Sequence, residues 1–178
     1  MGDQLGIVGA RYELVVVGTA LLALGLVSRA TRDVDLVGVR QGDAILPADP
    51  LPEPLAVAGQ RVARDFRLPD RWLDAGPTSL LDLGLPAGFV ERLHRRDYGP
   101  ALTVFFALRL DQVHLKLYAL VDQGPGKHED DLRALEPTRG ELLAAARWSR
   151  THDPSEGYRS MLVRALAHLG VEDAAVGD

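Results

Sequence analysis

The sequence predicts an α/β domain with a small sheet in its first two-thirds and a helical tail. Three observations carry that reading. Short apolar runs rich in β-branched residues stand at Tyr12–Val17, Val34–Val39 and Leu102–Leu108, each of strand length. Helical spacing of apolar residues dominates from Gln112 onward, where turn and cap residues punctuate the chain. The length of 178 residues, with 47% hydrophobic and 25% charged side chains, suits one globular domain with a real core. The expected division is a core over about 12–121 and a helical part over about 127–170.

Taken in order, Tyr12–Val17 ends at Gly18 and reads as a buried strand. Thr19–Leu26 reads as a helix that Thr19 caps. After a polar turn, Val34–Val39 is a second buried strand, and the proline-rich stretch Gln41–Glu53 is a loop. Pro54–Phe66 is amphipathic and helical, closed by Pro69. Trp72–Arg96 suggests only short helical turns. Leu102–Leu108 is the third strand and Gln112–Val121 a helix. Gly124-Pro125-Gly126 turns the chain into a short helix, His128–Leu135, that Pro137 ends. Thr138 and Glu141 form a capping-box signature for a helix over Arg139–Ser149. Ser155–Leu169 is the last helix, stopped by Gly170.

A formal net charge of −5 argues against a dedicated nucleic-acid coat while leaving room for a local basic patch. The absence of cysteine excludes disulfides, zinc–thiolate sites and cysteine nucleophiles, and a cytoplasmic protein is the simplest expectation. The uncharged stretch Leu14–Val27 is too short to span a bilayer and lacks a basic leader, so neither a membrane span nor a signal peptide is expected.

Chemistry concentrates around Asp33-Val34-Asp35 at the head of the second strand. Residues at i and i+2 share a strand face, so the two carboxylates project together and repel. They are either a pair of water-facing loop-end acids or hard oxygen ligands for magnesium or manganese. Upstream, Gly18-Thr19 ends a strand and opens a helix, an arrangement that lets backbone N–H groups approach a phosphate. Together these features suit metal-assisted transfer of a nucleotidyl group. Other motifs are set aside: Gly124–Lys127 lacks the residues of a P-loop, and the five histidines show no ligand spacing. Arg92, His94, Arg95 and Arg96 read as a solvated helix face.

The stretch VVVGTALLALGLVSRATRDVDLV resembles the opening motif of nucleotidyltransferase-fold proteins related to the AbiEii-type toxins. Gly18, Thr19, Ala20, Leu21, Arg29, Thr31, Asp33, Asp35 and Leu36 occupy matching positions. HLKLYALVDQGPGKHEDDLRAL resembles that family's second block through Lys116, Lys127, Asp131 and Leu132. The resemblance covers roughly Tyr12 to Leu169 and looks closest to an uncharacterised bacterial branch. It implies a small mixed sheet flanked by helices, with metal ligation by Asp33 and Asp35, nucleotide binding by Gly18, Thr19, Arg29 and Thr31, and a phosphate cradle at Gly18 and Thr19. It further implies that Lys116 contacts the triphosphate or leaving group and that Asp131 completes the acidic cluster or acts as base. Read from the residues alone, Lys116 fits a solvated helix face equally well, and Asp131 the first turn of a helix.

The activity implied is Mg2+- or Mn2+-dependent transfer of an NMP from an NTP to a hydroxyl of tRNA, protein or a small molecule. The alternative is a non-catalytic binding module of the same fold, within a toxin–antitoxin pair and with an antitoxin-like partner. One departure stands out: Val17 replaces the first glycine of the family's pair. A β-branched residue restricts the backbone there, so either the loop tolerates it or nucleotide binding is weakened.

Overall fold

The computed structural model describes residues 1–18, 20–26 and 33–172. Three expected site residues, Thr19, Arg29 and Thr31, lie outside the described residues. The chain divides into two compact units, Met1–Leu108 and Arg109–Asp178. The helix expected over Gln112–Val121 therefore belongs with the helices that follow it, which it packs against, rather than with the sheet.

The first unit is built on a mixed sheet. β1 (Tyr12–Val16) runs parallel to β6 (Leu102–Phe106) and antiparallel to β2 (Val34–Gln41). β2 continues into β3 (Ala44–Leu46) through the two-residue turn Gly42-Asp43, and Gly42 has the positive φ of 62° that such a turn needs. That hairpin lies inside the stretch expected to be a loop. β4 (Leu73–Asp74) lies parallel to the start of β2, and β5 (His94–Asp97) antiparallel to β6. The spatial order is β3-β2-β1-β6-β5, with β4 also on β2. The basic cluster at residues 92–96 is thus largely an exposed edge strand, not a helix face, and its charges guard an edge against stray pairing.

β1 and β2 do not pair evenly. Val15 faces Gly38, yet Val16 faces Leu36, so Val37 is an extra residue in β2. One sheet face carries the core: Leu14, Val16, Leu36, Val39, Leu102 and Phe106 are buried there with Leu5 of α1 (Gly2–Ile7) and Leu55 and Ala58 of α3 (Glu53–Phe66). α2 (Ala20–Ala23) is shorter than the helix expected over Thr19–Leu26. Gly25, with φ 72°, ends it in a left-handed turn: Leu26 N–H donates to Leu21 O at 2.8 Å and Gly25 N–H to Leu22 O at 3.0 Å.

The second unit is helical: α6 (Arg109–Gln123), α7 (Lys127–Ala134), α8 (Arg139–His152) and α9 (Glu156–His168). α6 lies against the other three. The capping box is formed as expected, Glu141 N–H donating to Thr138 Oγ1 at 3.2 Å and Thr138 N–H to Glu141 Oε2 at 2.8 Å. Glu141 also grips Arg109 through two hydrogen bonds of 2.7 and 3.1 Å. Arg109 donates onward to Leu135 O and Glu136 O, both at 2.8 Å, so one guanidinium joins α6, the end of α7 and the head of α8. Its charge and the Thr138 bonds hold the Glu141 carboxyl at about 2. Among the described residues no helix is long and apolar enough to cross a membrane.

Candidate functional site

The β1 strand ends at the buried Val16, and the equally buried Val17 after it donates its N–H to Asp35 O at 3.0 Å. This bond carries the β1–β2 ladder up to Gly18 and sets Gly18 beside Asp35. A Cβ placed on Gly18 would coincide with Asp35 Oδ2 and stand 2.9 Å from its Cγ. The position therefore admits glycine because a carboxylate lies against its Cα; its φ is not in the left-handed region. Val17 is likewise outside that region and its side chain is 5% exposed. The backbone there asks nothing that valine cannot supply, and the valine serves as core.

Val34 and Leu36 turn toward the core face, so Asp35, between them, projects from the other. Asp33, just before β2, is exposed, and Asp35 is half-buried. The register adds a third acid that the sequence reading missed. Asp35 pairs with Asp74 across the parallel β2–β4 ladder, and residues so paired present their side chains to one face. Asp74 is fixed from behind: its Oδ1 accepts from Gly76 N–H at 3.1 Å. The turn that follows is pinned to β2 by Thr78, whose hydroxyl donates to Val37 O at 2.8 Å. Among the described residues no group of three His, Cys, Asp or Glu side chains is already drawn together as a metal cage.

A second tie reaches the same end of the sheet. Arg96 of β5 donates through Nη1 to Ala23 O at 3.0 Å, and its guanidinium lies 5.5 Å from the Phe106 ring centre. It thereby fixes the C-terminal end of α2, the helix that follows Gly18.

In the second unit, Lys116 and Asp131 meet each other. Lys116 Nζ lies 2.8 Å from Asp131 Oδ2, with the side chains 7% and 1% exposed. Lys116 is therefore not on a solvated helix face. The pair joins α6 to α7 and satisfies in the interior a cation and an anion that would each be costly alone. His114 Nδ1 bonds Leu110 O at 2.8 Å, and His168 Nε2 bonds Glu129 Oε1 at 2.8 Å, so these histidines have structural partners.

No protein-family model, curated protein or solved structure matches the chain. The functional reading thus rests on the residues themselves.

Proposed function

We propose that the protein is a metal-dependent nucleotidyltransferase whose site lies at the end of β1. The observation that carries the proposal is the apposition of Gly18 and the Asp35 carboxylate, with Asp74 in register beside it. Folding alone disfavours two like charges on facing strand positions, whereas a divalent cation turns their repulsion into ligation. Asp33, Asp35 and Asp74 offer the hard oxygens that Mg2+ or Mn2+ prefers. When bound, such an ion would neutralise charge gathering on the transferring phosphate.

In this reading the backbone at Gly18 receives phosphate oxygens of an NTP. A hydroxyl of the acceptor attacks the α-phosphorus, the bond to the β-phosphate breaks, and pyrophosphate leaves with the bonding electrons. The hydroxyl proton passes to a carboxylate of the cluster or to water. The acceptor is tRNA, a protein or a small molecule. Lys116 and Asp131 are given no step here, because each already answers the other's charge.

The test is incubation with each α-labelled NTP in Mg2+ and in Mn2+, against RNA, protein and self as acceptors. Label transfer that Asp35→Asn reduces at least a thousandfold, to about background, supports the proposal. No transfer from any NTP, or transfer that Asp35→Asn leaves intact, rejects it. The alternative is a nucleotide-binding module without turnover and with an antitoxin-like partner. Calorimetry separates the two, since that module takes up NTP and returns it unchanged.

A further inference from the structure

At the opposite end of β1 the same sheet carries a basic cavity of about 340 Å³, lined by Arg11, Tyr12, Glu13, Arg40, Arg95 and Thr103 among others. β1 runs from Tyr12 toward Gly18, and six residues of strand span about 20 Å, so this cavity is separate from the carboxylates. Three guanidiniums line it with one carboxylate, Glu13, while Asp43 and Asp97, which meet Arg40 and Arg95, are not among the lining residues.

Arg40 is its most telling member. Its side chain is only 20% exposed, and its guanidinium stacks on Phe105 at 4.4 Å from the ring centre. Nε donates to Gly42 O at 2.7 Å. The ion-pair contact to Asp43 is long, 3.7 Å, and made to a fully exposed side chain. Among the described residues neither terminal nitrogen of Arg40 donates a hydrogen bond, so donors on a largely buried cation line an open cavity. Arg11 forms no ion pair among the described residues. Arg95 is held by Asp97 at 3.0 Å, and Asp97 in turn accepts from Thr103 Oγ1 at 2.7 Å, so the third guanidinium is oriented in advance.

The geometry points to a second ligand site, for a phosphate group held by Arg11, Arg40 and Arg95 without a metal ion. Planar guanidinium forks match tetrahedral phosphate oxygens and discriminate against chloride. The volume is at the lower end for small-ligand sites, about 300–1,000 Å³, which admits free phosphate or a small phosphomonoester. Glu13 and Thr103 can accept a hydroxyl from an ester's organic part.

The experiment is isothermal titration of the full chain in EDTA with inorganic phosphate and, separately, ribose 5-phosphate, at constant chloride. Saturable one-to-one binding is expected with at least one probe. Tighter binding of the ester assigns the site to phosphomonoesters; equal or tighter binding of inorganic phosphate assigns it to the free anion. Arg11→Gln and Arg95→Gln, both at exposed side chains that leave the fold intact, should each weaken binding about tenfold. No saturable binding of either probe overturns the proposal, as does an affinity that both variants leave unchanged.

Discussion

Asp35 and Asp131 are carboxylates of similar sequence prominence placed in opposite electrostatic settings. Asp35 lies against a bare glycine Cα with another aspartate in register beside it. Asp131 is 1% exposed with a lysine ammonium 2.8 Å away. The second arrangement is closed: its charges cancel and its contribution is to hold α6 to α7. The first sets two acids in register, one of them against a glycine whose missing Cβ leaves it room. Asp35 stands out from its own strand motif and Asp131 through the family resemblance, and only their neighbours tell the two settings apart.

Four changes break or sharpen that contrast. The largest stability effect belongs to Lys116→Met, which leaves Asp131 buried without its cation and should cost about 3–5 kcal/mol in urea unfolding. Adding Asp131→Leu should restore most of it; a double variant as unstable as the single one would mean the pair is not closed in this sense. Next, Gly18→Ala forces Asp35 aside, with an expected loss of about 1–3 kcal/mol and of label transfer altogether. Unchanged transfer in that variant would show that the close approach is irrelevant to chemistry.

Glu141→Gln should cost about 1–2 kcal/mol near neutral pH, a value reduced for the partial exposure of the Arg109–Glu141 pair. Its carboxyl is depressed from 4.5 to about 2, so its contribution is complete above about 4.5 and is lost as pH falls toward 2. Unfolding of wild type and variant should accordingly converge on acidification through that window, and a gap that stays constant would refute the assignment. The smallest effect is expected from Asp74→Asn. Its Oδ1 can still accept from Gly76, while the charge facing Asp35 disappears, so stability should stay level or rise by up to about 1 kcal/mol. A loss beyond about 1 kcal/mol by thermal melting would make Asp74 a structural rather than a ligand-facing acid.

The three central strands were legible in the sequence because each carries a run of buried apolar residues that a single polar position does not hide. Tyr12–Val17, Val34–Val39 and Leu102–Leu108 each contain most of an observed strand. β5 was not legible: His94-Arg95-Arg96-Asp97 is exposed along its whole length and has no apolar alternation to betray it. β4 is two residues long, defined by its partner rather than by its own composition, and Asp74 was missed with it. The β3 hairpin carried a readable sign, Gly42-Asp43 between apolar runs, which the prolines after it obscured. α1 was hidden because Gly2 and Gly6 dilute its helical pattern. At the site, spacing indicated that Asp33 and Asp35 share a face, while the contact with Gly18 depends on a ladder between distant segments that no local pattern encodes.

The extra residue at Val37 has a consequence for how this region tolerates change. Leu36 and Val39 are three positions apart yet both reach the core, which regular alternation forbids; the bulge between them resets the phase of the strand. Point substitutions that keep the apolar volume can be absorbed there. Excising Val37 should be absorbed as well: it leaves Leu36 and Val39 two positions apart, the spacing that regular alternation places on one face, so Leu36 stays inward, Asp35 stays on the other side and the bulge vanishes. The segment from Asp33 to Val39 thus holds one residue more than its alternation needs, and that residue is a reserve of length rather than a fixed requirement.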